Sequence, residues 1–235
     1  MAREDYDIAS LSAYLHQDPV KVRRMAERGK IPGRRVGGEW RFSRGEIHHW
    51  VEEALLGSDQ AEATRLESVL NRHAVAEEIE EYTIESLLVS EAIAVPLAAR
   101  TKNSVITTMA ALAADTGWLW DPDSMAEAVK EREDLYPTAM DGGLALMHPR
   151  RPLASMLGRP FVAFGRTSRG IPFGGRGGEL TDLFFLILST DDAGHLRTLA
   201  RLGRVLGIPG TLDEIREAPD SEAVREILLD RERGL

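Results

Sequence analysis

The sequence predicts a two-part α/β chain: a small helical head with a β-hairpin, followed by a larger domain built on a mixed sheet. Three observations predict it. From about residue 83 onward, strand-like apolar runs alternate with helix-like periodicity, the pattern of an α/β domain of about 150 residues. Before residue 57, two short helices, the second started by Asp18-Pro19, precede a Gly-Gly turn between strand-like pieces. The length of 235 residues suits two domains better than one.

Composition excludes some classes. With 43% apolar and 29% charged residues the chain reads as an ordinary globular protein. It has no cysteine, so disulfides and thiolate metal sites are excluded, in keeping with a cytoplasmic setting. The stretch Met1 to Asp7 lacks the basic-then-apolar order of a secretory signal. The longest apolar run, Leu183 to Leu188, suits a buried strand; a membrane helix needs about 20 such residues, so no membrane insertion is expected. No metal and no cofactor is expected either.

The net charge of −9 hides an asymmetry. Between Val20 and Phe42 lie Lys21, Arg23, Arg24, Arg28, Lys30, Arg34, Arg35 and Arg41, opposed by Glu27 and Glu39. That stretch carries +6 and the rest of the chain −15. A basic patch on an acidic protein is the electrostatic footprint expected for nucleic acid.

In the head, Ile8, Leu11 and Leu15 give a first short helix. His16-Gln17 turns into a second, started by Asp18 as cap with Pro19 behind it and ended by Gly29. Two helices so joined read as a helix-turn-helix. Ile31 to Phe42 reads as a hairpin turning at Gly37-Gly38. Ser43 and Glu46 have capping-box spacing and open a third helix through Ile47, Trp50, Val51 and Leu55. Trp40 and Trp50 are read as core.

On these elements, with Gly29-Lys30-Ile31-Pro32 and Arg35 to Arg41, residues 6–55 resemble an excisionase or MerR-like winged helix-turn-helix. The resemblance implies duplex DNA as partner. Lys21, Arg23 and Arg24 would enter the major groove, and Arg34, Arg35 and Arg41 on the wing would meet phosphates or the minor groove. The head is assigned to 1–56 and a helical connector to 57–82. There Leu66, Val69, Leu70, His73 and Ala76 make a partial stripe, too short for a coiled coil on its own account but compatible with a homodimer.

Within 83–235, Ile84 to Val95 is an apolar start. Helices come next at Ser104 to Thr116 and behind Asp121-Pro122, through Met125, Ala128 and Val129. Strands are expected at Gly142 to Met147, Phe161 to Phe164 and Leu183 to Leu188, with a glycine-rich stretch, Gly170 to Gly178, before the last. Helices are expected at Gly194 to Leu206 and Ser221 to Leu229, with a helix or turn from Thr211 between them. Gly174 to Gly178 lacks the Lys-Ser/Thr of a P-loop and reads as a flexible turn.

Chemistry concentrates between Glu131 and Pro149. His148 directly succeeds an apolar strand, where a sheet edge opens to solvent. Neutral imidazole is a nucleophile near neutral pH, and an arginine such as Arg132 suits an arriving phosphoryl dianion. Arg132-Glu133-Asp134-Leu135, Pro137-Thr138, Gly143-Leu144-Ala145 with His148, Ile171-Pro172-Phe173-Gly174, His195-Leu196 with Leu199, and Leu212 to Ala218 carry a resemblance. The domain is similar to the fructose/mannitol-type IIA unit of the phosphotransferase system, which includes nitrogen-regulatory IIA proteins.

That resemblance implies that His148 is phosphorylated, with Arg132 and His195 bordering it and Thr138 supporting them. It also implies an HPr-like phosphocarrier as donor and a sugar-specific IIB protein as possible acceptor. Met147 stands where the family usually has proline, and Pro149-Arg150-Arg151-Pro152 departs from the usual small residues. His148, Arg132 and His195 are expected in one shallow pocket, with His148 exposed to its partner. His16, His48, His49 and His73 are read as structural or solvated. The functional expectation is a transcriptional regulator reading phosphotransferase status; the rivals are a phosphocarrier passing phosphate to IIB and a sensing domain without phosphotransfer.

Overall fold

The computed structural model describes residues 5–15, 17–47, 50–51 and 82–235. The stripe from Leu66 to Ala76, the rest of the head's third helix, and His16, His48, His49 and His73 lie outside the described residues. The chain divides into two compact units, Met1–Ala74 and Val75–Leu235.

The first unit contains β1 (Asp5–Tyr6), α1 (Ile8–Tyr14), α2 (Pro19–Glu27), β2 (Arg34–Val36) and β3 (Glu39–Ser43). Asp7 starts α1 by accepting from the Ser10 N–H at 2.8 Å, and Asp18 starts α2 through the Val20 N–H at 2.8 Å. Gly37 and Gly38 turn the hairpin with φ of 61° and 85°, the left-handed pair that a tight hairpin turn demands. The strand β1, which the sequence pattern does not announce, pairs antiparallel with β3 and completes a sheet of order β1-β3-β2. Residues 44–47 and 50–51 are helical. Leu11, Val22, Ala26, Ile31, Phe42, Ile47 and Val51 form the core, one stripe from each helix closing on the hairpin.

The second unit begins with α3 (Ile84–Leu87) and β4 (Leu88–Ala94), then α4 (Lys102–Ala114) and α5 (Pro122–Leu135). Strands β5 (Ala139–Met140), β6 (Leu144–Met147), β7 (Phe161–Pro172) and β8 (Leu180–Leu188) come next. Helices α6 (Asp192–Leu206), α7 (Thr211–Glu217) and α8 (Ser221–Arg233) complete it. The sheet has order β4-β7-β8-β6-β5. β4 runs parallel to β7 and β6 parallel to β8, while β7–β8 and β6–β5 are antiparallel.

Both sheet faces are covered, which is why the central strands read as unbroken apolar runs. On one face Ala145, Met147, Phe161, Ala163, Phe184, Leu186 and Leu188 pack with Val105, Met109, Met125 and Val129 of α4 and α5. On the other, Phe164 and Phe185, directly opposite in the ladder, meet with ring centroids 4.8 Å apart. Asp121 caps α5 through the Ser124 N–H at 3.0 Å. That bond holds its carboxyl below the usual carboxylate range. The cap therefore contributes above the ordinary carboxylate pKa, and the contribution is lost as pH falls through the lowered value.

The larger sheet extends beyond expectation. β7 does not stop at Phe164 but runs to Pro172, with a register shift between Arg166 and Ile171 that leaves Ser168 to Gly170 exposed. The apolar start resolves into a single helical turn and β4.

The N-terminal ends of β6 and β8 are clamped. Arg216 on α7 forks onto Asp182 at 2.8 and 2.9 Å and also donates to the Gly142 carbonyl. The Gly143 carbonyl accepts from Asp182 and Leu183 N–H groups at 2.9 and 3.1 Å. Gly143 has φ +73°, and a Cβ there would lie 2.8 Å from both Arg216 and Asp182. Gly143→Ala is expected to cost about 1–3 kcal/mol in denaturant unfolding, from overpacking added to strain. Gly177→Ala, also at positive φ but with nothing within 4 Å, is expected to cost only the strain. Equal losses would show that the clamp tolerates the methyl.

Candidate functional site

Parallel neighbours end side by side. β6 and β8 pair from Leu144↔Leu183 to Met147↔Leu186. The residues just past the two strands therefore meet at one edge, where open α/β sheets hold their ligands. His148 comes directly after β6. Ser189 comes directly after β8, and Asp191 then caps α6 by accepting from the Gly194 N–H at 2.8 Å, which puts His195 in the first turns of that helix. The imidazoles of His148 and His195 consequently meet edge to face, centroids 4.8 Å apart at 60°.

Each ring is fixed at Nδ1. That of His148 lies 2.9 Å from the Leu146 carbonyl oxygen, an acceptor only, so Nδ1 carries the proton and Nε2 the lone pair. That of His195 lies 3.2 Å from the Ser189 hydroxyl. His148 is 2% and His195 3% exposed. The expected exposure of His148 is therefore corrected: the ring is enclosed, tied back to its own strand and covered by its histidine neighbour.

Arg132 and Glu133 occupy the last turn of α5, 6% and 1% exposed. The helix ends because Tyr136 turns extended and Pro137 cannot continue it. The Arg132 guanidinium donates back to the Tyr136 carbonyl. The Glu133 carboxylate accepts the Thr138 N–H at 3.2 Å and its hydroxyl. Lys102 stands 3.5 Å from the carboxylate. The described contacts thus bring His148 and His195 together directly. Thr138 is turned to Glu133, and its path to His148 runs through Leu146, whose N–H donates to the Thr138 carbonyl at 3.4 Å. Ser189, Lys102 and the Leu146 carbonyl were not foreseen, and Glu133 only as part of a motif. Ser189 had one signal, its place directly after an apolar run, which His148 shares.

In the head, Arg23, Arg24, Arg28 and Lys30 stand exposed on and after α2. Lys21 bonds Gln17 at 2.8 Å. Arg34 pairs with Asp5 at 2.8 Å and Arg41 with Glu39 at 2.7 Å, while Arg35 lies over the Trp40 ring at 5.2 Å. Exposed pairs of this kind are worth about 0–1 kcal/mol, so they exchange readily for another anion. Among the described residues no cluster of three or more metal-ligating side chains occurs, and no helix is long and apolar enough to cross a membrane.

A mixed α/β domain with paired histidines beyond the C-terminal ends of two parallel strands, behind a helix-turn-helix, is the class these features define. Residues 86–231 match the family described as phosphoenolpyruvate-dependent sugar phosphotransferase system, EIIA 2, and residues 6–54 match a helix-turn-helix domain. The chain belongs to the EIIA 2 family and carries an N-terminal helix-turn-helix domain. A nitrogen regulatory protein of Bradyrhizobium diazoefficiens is 33% identical over 148 residues, 62% of this chain and 94% of that protein. A fructose-specific EIIA component of Haloferax volcanii is 31% identical over 130 residues, 54% of this chain and 82% of that protein. The crystal structure of nitrogen regulatory protein IIA-Ntr from Neisseria meningitidis shares the fold, with TM-score 0.53 and 23% identity over 60% of this chain and 94% of that one.

Ser189→Ala is expected to cost about 1–3 kcal/mol, the loss of a buried partner, in denaturant unfolding. It should also change the imidazole nitrogen NMR signals of His195 while leaving the protonated Nδ1 of His148 in place. Unchanged His195 signals would remove Ser189 from the site.

Proposed function

We propose that the chain is a cytoplasmic, DNA-binding transcriptional regulator whose EIIA domain takes phosphate on His148, or reads phosphotransferase status through it. The observation that carries this reading is the His148–His195 contact with Nδ1 of His148 held by Leu146, on one chain with a basic helix-turn-helix.

The chemistry derives from that tautomer. The Nε2 lone pair of His148 attacks the phosphorus of an HPr-like donor's phosphohistidine. The phosphorus–donor bond breaks and its electron pair returns to the donor, while the Nδ1 proton stays in its bond to the Leu146 carbonyl. Arg132 supplies a forked cation for the phosphoryl oxygens, and the N-terminal end of α6 favours the same anion. Thr138 supports Arg132 and His148 from the loop between them. Phosphorylation adds nearly two negative charges to a site closed at 2% exposure, so it is accepted only with local rearrangement, which is the event that reports to the head. The heads of a homodimer would read two half-sites, which adds avidity.

The second reading, a phosphocarrier passing phosphate to a IIB protein, is favoured by the similarity to a fructose-specific EIIA component. The DNA test separates the two.

Incubation with phosphoenolpyruvate and the general phosphotransferase proteins is expected to label the chain with acid-labile phosphate. His148→Ala should abolish the label and Arg132→Ala slow it roughly a hundredfold. A labelled His148→Ala chain would overturn the assignment. On duplex DNA, neutralising Arg34, Arg35 and Arg41 together should weaken binding to all sequences. It should also flatten the salt dependence by about one unit of slope for each phosphate no longer neutralised. Arg23 or Arg24 substitutions should instead change sequence preference. Absence of DNA affinity at low salt, with monomer in light scattering, would leave the phosphocarrier reading.

A further inference from the structure

Phosphoryl transfer at His148 gives no role to Glu133, a carboxylate whose side chain is 0% exposed. A carboxylate so enclosed is costly unless fully compensated. Two residues compensate it, and all the hydrogen bonds given to the carboxylate come from Thr138. Both oxygens lie 3.2 Å from the Thr138 N–H, the Thr138 hydroxyl donates to Oε1, and Lys102 closes the other side at 3.5 Å. Lys102 also donates to the Glu133 carbonyl at 3.1 Å and stands over the Phe173 ring at 5.4 Å. The buried charge therefore holds a single point of the loop beyond α5.

That point leads to the reacting ring. The Thr138 carbonyl accepts the Leu146 N–H at 3.4 Å, just beyond the Ala139↔Ala145 pair of β5 and β6. The Leu146 carbonyl in turn accepts from Nδ1 of His148 at 2.9 Å. On its other side the same loop receives the Arg132 guanidinium at Tyr136.

We infer that Glu133 is a positioning residue for the phosphoryl site: it pins Thr138 and, through the backbone of Leu146, sets the seat of His148 and the tautomer that keeps its proton on Nδ1. The inference rests on the proposed phosphotransfer only for its rate consequence; the tautomer is a property of the resting chain. Glutamine at 133 has one acceptor oxygen and a donor amide. Facing two donors of Thr138 and the Lys102 ammonium, it sets donor against donor and releases the pin. A residue needed for stability alone would change the melting transition and leave the tautomer untouched.

The test uses the full chain and the imidazole nitrogen NMR signals of His148. Wild type is expected to show one tautomer, Nδ1 protonated and Nε2 not. Glu133→Gln is expected to show both tautomers, and labelling from phosphoenolpyruvate through the general phosphotransferase proteins should slow roughly 10- to 100-fold. Thr138→Val removes the hydroxyl bond but keeps the N–H, so it reads the same two quantities in a folded chain if Glu133→Gln does not fold. Thr138→Ser keeps the hydroxyl and should restore both. Folded Glu133→Gln or Thr138→Val chains with a single Nδ1–H tautomer overturn the inference, whatever their labelling rate. A wild-type chain that takes no phosphate overturns phosphotransfer instead, and the tautomer comparison still decides the role of Glu133.

Discussion

The parallel ladder between β6 and β8 is the constraint on which the larger unit depends. Parallel strands cannot be joined by a tight turn, so the chain must travel between them through β7 and its flanking loops. Four consecutive pairs, Leu144↔Leu183 to Met147↔Leu186, then bring equivalent ends together. Because both faces are covered, the register is strongly specified: a slip of one residue would turn Phe184 and Leu186 away from the α4–α5 face where they pack. The same register that fills the core therefore fixes the distance between the first residues beyond β6 and those beyond β8.

The two ends of that ladder carry different burdens. At the N-terminal ends, Arg216, Asp182 and Gly142 form a half-buried clamp. Arg166 adds three bonds of 2.6–2.7 Å to the carbonyls of Ile215, Arg216 and Ala218, closing the end of α7. These are fixed cation–carbonyl and cation–carboxylate contacts with every partner supplied from within the unit. The guanidinium of Arg216 is pushed up first by its bond to Asp182, as expected of a pair that stays charged. At the C-terminal ends the polar groups are imidazoles and hydroxyls, which can both donate and accept hydrogen bonds and so can change partner. Under the proposed reading, stability and chemistry thus sit at opposite ends of the same pair of strands.

Which of these features can be read in the sequence depends on which interactions are local. Asp18-Pro19, Gly37-Gly38 and Asp121-Pro122 act within a few residues of themselves, and each marks an element that forms there. Leu183 to Leu188 was legible because a doubly covered strand is apolar on both faces. The outer half of β7 was hidden by Arg166, Ser168, Arg169 and Gly170, which stand at a register shift against β8 rather than in an alternating pattern. β1 and β5 are two residues each, too short for any periodicity. His148 and His195 could be singled out from the residues around them, whereas Lys102 reaches Glu133 only through helix docking and Ser189 reaches His195 only through strand order, its place after an apolar run being the one local sign. The burial of His148 was hidden for a related reason. A histidine after a strand faces solvent when the strand ends at an edge; β6 lies between β5 and β8, with α6 starting beside it.

That burial constrains how such a site can work. The His148 ring, at 2% exposure, lies against a second imidazole at 4.8 Å. Placing nearly two charges there without rearrangement would incur the desolvation cost of buried ions. Under the proposed reading, the resting and phosphorylated chains must therefore differ in the segments carrying His148 and His195, whichever partner provides the phosphate. A ligand shifts an equilibrium only by its differential free energy in the two states. Under that reading the enclosed packing disfavours the dianion, and a rearranged one would offer it Arg132 and the N-terminal end of α6. An exposed histidine would accept phosphate without such a difference and would serve a carrier. An enclosed one ties phosphate occupancy to a change of packing, which is what a regulator requires.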